Sequence, residues 1–155
     1  MKIAQFNQLT EEETQQLLIA PAYISYLIGG ADNDFDEKEQ EQAKYVVHLR
    51  NNVGDPLLFD YYTLVAQNFE VQLNELIAKY ENLQAETRTD LFVEELSKLN
   101  EILQKIDNLY ARTLLKSWRG LAKEVAEASG GLLGILNISY EEEHLMDLQM
   151  IKINE

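Results

Sequence analysis

Cysteine is absent from the chain, which removes disulfides, thiolate zinc sites and cysteine nucleophiles together. The absence agrees with a reducing compartment. Basic charge is scarce: 13 Lys and Arg stand against 27 Asp and Glu, for a net charge of −14. Phosphate-backbone binding needs an electropositive surface, so nucleic acid is not an expected partner. Divalent cations, basic partners and plain solubility stay open. Long apolar runs are also missing. The longest nearly uncharged stretch, 14–31, is interrupted by Gln15, Gln16, Pro21 and Ser25, and reads as a buried helix pair rather than a membrane span. Residues 1–10 hold no basic stretch followed by an apolar one, so no secretory leader is read there and a cytoplasmic protein is expected.

No stretch alternates as a half-buried strand does; helical periodicity runs through the whole chain instead. Three starts share one signal. Thr10-Glu-Glu-Glu13, Asp36-Glu-Lys-Glu39 and Ser139-Tyr-Glu-Glu142 each set a capping side chain three residues before a glutamate. Asp55-Pro56 adds a fourth, with proline at the first helical position, where its missing N–H costs nothing. These signals predict helices over 11–19, with a kink or restart at Pro21 and a stop at Gly29-Gly30, and over 37–51. A long helix is expected over 56–84, a polar turn over 85–90, and a second long helix from Phe92. Its apolar positions Phe92, Leu96, Leu99, Leu103, Ile106 and Tyr110 follow heptad steps, which predicts an antiparallel pairing of the two. Helix continues to a stop at Ser129-Gly-Gly131, followed by an apolar loop over 132–138 and a last helix after Ser139. The expected architecture is all-α: a single domain over 1–155, a bundle of about six to seven helices with a long antiparallel central hairpin. The two helix–Gly-Gly–loop–capped helix units, at Gly30 and at Gly131, read equally well as a weak internal repeat or as shared capping chemistry.

The densest chemistry lies in Ala31-Asp32-Asn33-Asp34-Phe35-Asp36-Glu37-Lys38-Glu39. Carboxylates at alternate positions on a turn, followed by one on a helix, can converge oxygens on a hard cation such as Ca²⁺ or Mg²⁺. The candidate ligands are Asp32, Asp34, Asp36 and Glu39. A full EF-hand is excluded, because Glu37 stands where the sharp-turn glycine belongs and Ala43 where the bidentate glutamate belongs. The competing structural reading makes Asp36 and Glu39 a capping box and Asp32 and Asp34 ordinary turn residues.

A second feature is basic. Arg112, Lys116, Arg119 and Lys123 fall at steps of four, three and four, on one helix face. They are candidate partner-binding residues for an anionic protein surface; the plainer reading is a solvated face opposite Tyr110, Leu114, Leu121 and Val125. Trp118 beside the stripe reads as a core anchor. His48 and His144 are too separated for a nitrogen-ligand metal site, and Gly29-Gly30 and Gly130-Gly131 lack the strand of a phosphate-binding loop. Glu141-Glu-Glu-His144 is one copy of a Glu-x-x-His pair, where a di-metal helical bundle needs two.

Ala31-Asp32-x-x-Phe35-Asp36-x-x-Glu39 after an apolar helix resembles the acidic turn of the TerB-like family, named for a tellurite-resistance protein, whose related domains occur in some J-domain co-chaperones. The family turn reads A-D-G-x-[IF]-x-x-x-E, so Asn33 replaces the usual glycine, a mild change because asparagine tolerates positive φ. Residues 122–135, Ala-Lys-Glu-Val-Ala-Glu-Ala-Ser-Gly-Gly-Leu-Leu-Gly-Ile, also resemble a TerB-type segment. The resemblance covers the first and last thirds of the chain. It implies an all-helical domain of about this length, a stress-response or scaffolding role, no enzymatic activity, and acidic positions at Asp32 and Glu39 suspected of binding metal or mediating interactions. The expectation is therefore a non-enzymatic TerB-like protein that binds a divalent cation through the acidic turn and meets a protein partner, self-association as a homodimer included. The alternative is a helical adaptor or scaffold that binds another protein without metal.

Overall fold

The computed structural model describes residues 2–31, 35–136 and 145–153. Among these the chain is all-α, with five helices of thirteen residues or more: α1 (Glu11–Gly29), α2 (Glu37–Val53), α3 (Phe59–Tyr80), α4 (Ala85–Ser97) and α6 (Asn108–Leu136). One short helix, α5 (Leu99–Leu103), sits between α4 and α6. The long helices described are thus five where six to seven helices are expected, and the start at Ser139 lies outside the described residues.

Three of the four capping side chains make a cap bond, two of them at the start of the expected α-helix. The Thr10 hydroxyl accepts from the Glu13 amide at 3.1 Å while the Glu13 carboxylate accepts from the Thr10 amide at 2.9 Å, the reciprocal arrangement that satisfies two otherwise orphaned donors. Asp36 Oδ1 accepts from the Glu39 amide at 2.8 Å and starts α2. Asp55 Oδ1 accepts from the Leu57 amide at 2.9 Å, but it caps a single 3-10 turn (Pro56–Leu58), and α3 follows from Phe59.

α1 is the central element. From Leu17 to Gly29 it is buried on nearly every side, Tyr23 and Ile19 being only partly covered, which is why its apolar residues show no single stripe. It packs against α3, α6 and α4, while α2 packs against α3 and α6. The expected buried helix pair over 14–31 is therefore one uninterrupted helix. Pro21 lies inside it and removes the backbone donor that would reach the Leu17 carbonyl. The Tyr61 hydroxyl supplies that donor from α3, at 2.7 Å and fully buried. The same hydroxyl accepts from Trp118 Nε1 at 3.1 Å, so one chain of hydrogen bonds ties α6, α3 and α1 together. Trp118 is a core residue, fully buried.

The long central hairpin does not form. Residues 85–90 are not a turn but the first turns of α4, and they bury Ala85 and Arg88. The second arm breaks after Ser97 and again over 104–107, where Asp107 Oδ2 accepts from the Tyr110 amide at 3.0 Å and starts α6. Phe92, Leu96, Leu99, Leu103 and Tyr110 are all buried, as their spacing predicts. They are spread over three helices, however, and Phe92 meets Tyr23 and Tyr26 of α1 as well as Tyr80, ring centroids at 5.0, 5.4 and 5.2 Å. Heptad spacing recorded burial; the partner is α1, because a helix buried all round needs apolar neighbours on every side.

At the other end α6 runs through Gly130 and Gly131 to Leu136. Glycine lowers helix propensity without forbidding helix, so helix replaces the expected stop and the expected apolar loop as far as Leu136. The two helix–Gly-Gly units differ where they are described, since α1 ends at Gly29 with Gly30 as its C-cap, while the capped start at Ser139 lies outside the described residues. Among the described residues no helix is long and apolar enough to cross a membrane.

Candidate functional site

From Asn108 to Lys123, α6 carries four basic residues and no acidic one, in a chain with twice as many acids as bases. The 3.6-residue period puts Leu114, Trp118, Leu121 and Val125 inside and Arg112, Lys116, Arg119 and Lys123 outside. Residues 145–153 lie along this outer face. Leu148 and Ile151 are buried and anchor the segment to the core. Three side-chain bonds hold its backbone: Arg119 Nε donates to the Asp147 carbonyl at 2.8 Å, Asn100 Nδ2 donates to the Met150 carbonyl at 2.9 Å, and the Lys152 amide donates to Asn100 Oδ1 at 2.6 Å.

Between α6 and this segment lies an open groove of about 540 Å³. Arg112, Lys116 and Arg119 line one side and Lys152 the other, with Leu115, Ile151 and Ile153 as an apolar floor and, among the described residues, no carboxylate in the lining. Four other cations are neutralised locally: Lys44 meets Glu41 and Glu70 at 3.0 and 3.1 Å, Arg50 meets Glu124 at 2.9 Å, Lys98 meets Glu95 at 2.6 Å and Lys105 meets Glu13 at 2.5 Å, while Lys2, Lys38 and Lys79 make no ion pair among the described residues. Among the described residues, Arg112, Lys116, Lys123 and Lys152 make no ion pair, and the bond of Arg119 is to a backbone carbonyl. Four cations on an apolar floor form an anion-receptive surface. Lys123 extends the stripe but does not line the groove.

Lys116 also borders a second groove, of about 460 Å³, between α2 and α6. There Arg50 bridges to both carboxylate oxygens of Glu124, at 2.9 and 3.3 Å, and occupies the space beside Gly120, where an added Cβ would stand 2.7 Å from the guanidinium. Tyr62 and Ser117 share a 2.5 Å hydrogen bond beside it, and burial pushes the Tyr62 phenol above its usual range. Asp55 and Glu124 balance Arg50 and Lys116 in this lining, so it has no net sign.

The acidic turn is built differently. Asp32 and Asp34 lie outside the described residues. Asp36 is the N-cap of α2, and Glu39 gives its amide to that cap. The flanks of the turn are pinned. Phe35 stacks on Tyr26 with centroids 5.6 Å apart and presses against Gly29, where a Cβ would come within 2.5 Å of the ring. Gln40 Nε2 donates to the Phe35 carbonyl at 2.9 Å. Buried Arg88 donates to the Gly30 carbonyl and lies over the Tyr26 ring, 4.5 Å from its centroid. Among the described residues no group of three or more carboxylate, imidazole or thiol side chains is placed to hold a metal ion. His144 falls outside the described residues and His48 is exposed on α2.

The helical spacing of the basic residues located the stripe. It missed Lys152, thirty-six positions from Lys116, and Asn100, whose amide holds the opposite wall. The only available sequence signal was a lone basic residue among Met150, Ile151 and Ile153. The chain matches no protein-family model, no curated protein and no solved structure.

Proposed function

We propose that the protein is a non-enzymatic interaction module, a helical adaptor that docks an acidic segment of a partner protein in the groove between α6 and residues 145–153. The observation that carries this reading is the convergence of Arg112, Lys116, Arg119 and Lys152 on an apolar floor, with no carboxylate in the lining among the described residues. Lys44, Arg50, Lys98 and Lys105 each pair with a carboxylate of this acidic chain, whereas the groove gathers four cations with no ion pair among the described residues. Cations kept apart from that excess favour an external anion and steer its approach. Poly-glutamate binding by the full chain, followed by anisotropy, tests it. Binding should weaken with salt, and replacing Arg112, Lys116, Arg119 and Lys123 with Glu should abolish it. Equal binding by the charge-reversed chain sinks the reading.

A second reading keeps the TerB-like kinship and the cation-binding turn, with Asp32, Asp34 and Glu39 as ligands and Asp36 chiefly a cap. It is favoured by the pinning of both flanks, through Arg88 to Gly30 and Phe35 to Tyr26, because a loop held at its ends loses less entropy on closing around an ion. Thermal unfolding under Ca²⁺, Mg²⁺ or Mn²⁺ titration tests it. A cation at 100 times its Kd adds about 2.7 kcal/mol to stability. No shift, or the same shift in Asp32→Asn plus Glu39→Gln, removes it.

A further inference from the structure

We infer that the ligand of the α6 groove is a short extended segment of about five residues, with an aliphatic side chain between carboxylates, and that Asn100 is the positioning residue that keeps the groove formed. This rests on the docking reading above and specifies its partner. The length follows from the stripe. The segment lies in the groove and runs on to Lys123 beyond it: Arg112 and Lys123 are eleven residues apart on one helix, or about 16 Å, which extended chain covers in about five residues at roughly 3.3 Å each.

The charge pattern selects against longer polyanions. Exposed Asp107 and Glu127 stand just beyond the two ends of the stripe, and the rest of the chain is strongly acidic. A nucleic-acid duplex carries about one charge per 1.7 Å well past such a length, and an anionic membrane continues in two dimensions. Both meet repulsion at the stripe's ends; a five-residue segment stops before it. Carboxylate recognition follows from Arg119. Its Nε is committed to the Asp147 carbonyl, which orients the planar guanidinium and leaves the two terminal nitrogens to grip a carboxylate in bidentate fashion. The aliphatic requirement follows from Leu115, Ile151 and Ile153 lying among the cations.

Asn100 makes no contact in the groove. Its amide pairs with the Met150 carbonyl and the Lys152 amide in the manner of a neighbouring strand, and so sets where Lys152 and Ile153 stand relative to Arg112 and Arg119. Removing that pairing should shift the wall without altering the charge.

The experiment uses the full chain with labelled Glu-Leu-Glu-Ile-Glu, its all-Gln counterpart, a DNA duplex and phosphatidylserine vesicles. The acidic peptide should bind about tenfold more tightly than the Gln peptide and than either long polyanion. Arg119→Gln should weaken the peptide several-fold. Asn100→Ala should also weaken it several-fold while leaving the salt dependence as in the parent, because no charge is lost. Asn100→Leu, nearly isosteric and uncharged, removes both bonds and serves where Asn100→Ala fails to fold. A duplex or vesicle bound as tightly as the peptide overturns the short-segment inference while poly-glutamate binding leaves the docking reading standing. Equal binding of the Glu and Gln peptides overturns the carboxylate requirement. Unchanged affinity in both Asn100 variants removes the positioning role. Loss of poly-glutamate binding as well marks the failure of the docking site itself.

Discussion

The Tyr61 hydroxyl donates at 2.7 Å to the carbonyl of Leu17, the oxygen that Pro21 leaves without its helical partner. A proline inside a helix both removes that donor and crowds the carbonyl four residues back. α1 continues past it because α3 delivers a substitute, itself held by the Trp118 indole N–H at 3.1 Å.

Tyr61→Phe leaves both the Leu17 carbonyl and the Trp118 N–H buried without a partner and should cost about 3 kcal/mol in urea unfolding. Pro21→Ala should recover part of that loss in the Tyr61→Phe background, because the new backbone N–H reaches the Leu17 carbonyl. Strictly additive effects of the two changes would contradict the coupling.

Tyr110 makes the opposite case. Its hydroxyl is buried with no protein hydrogen-bond partner among the described residues, while its ring meets Phe6 edge-on at 5.6 Å. Tyr110→Phe keeps the ring packing and removes an uncompensated polar group, so it should raise stability by about 1 kcal/mol. A clear loss in the same urea assay would show that the hydroxyl is satisfied in solution.

Alkali should unfold the chain. Burial raises the phenol of Tyr23 to about 12 and pushes those of Tyr61, Tyr62 and Tyr110 upward, from an ordinary value of 10.0. Above pH 10 the unfolded chain has released protons that the native chain still holds, so stability falls as pH rises. The contribution is fully present below pH 10 and, for Tyr23, is lost between 10 and about 12. Tyrosinate absorbance should lag a free-tyrosine curve and then rise together with the loss of helical circular dichroism. A simple titration near 10 with the helix intact would refute this.

Arg88 is buried at 5% exposure, with its guanidinium on the Gly30 carbonyl and over the Tyr26 ring. Arg88→Met keeps much of the volume but loses the charge-assisted bond at the end of α1, and should cost about 2 kcal/mol. Arg88→Lys should recover little, because an ammonium cannot lie flat on the ring while donating to the carbonyl. Thermal denaturation of the two variants gives the order.

Asp36→Ala should cost about 1 kcal/mol in metal-free buffer, since it removes the α2 cap whatever the turn binds. Asp32→Asn should leave metal-free stability within about 0.5 kcal/mol of the parent. A metal-free cost confined to Asp36 separates the cap from any ion-binding role.

Much of this protein is legible in its sequence. Thr10, Asp36 and Asp55 carry their caps within three residues, so the signals are local and the structure repeats them. The exposed placement of Arg112, Lys116, Arg119 and Lys123 is likewise a consequence of helical period. The hairpin misled for a physical reason: spacing reports that Phe92, Leu96, Leu99 and Leu103 are buried and says nothing of which helix covers them. The groove was only half visible, because Lys152 and Asn100 join it through contacts fifty-two positions apart.

The sequence by itself determined the all-α class, the starts of α1 and α2 and the face on which α6 shows its cations, since each depends on side chains within one or two turns. Tertiary structure alone decided that Pro21 is passed over, that the second arm breaks onto α1, and that a stripe becomes a groove. Each of those outcomes depends on a donor or an apolar surface supplied from a distant helix, and no local preference encodes it.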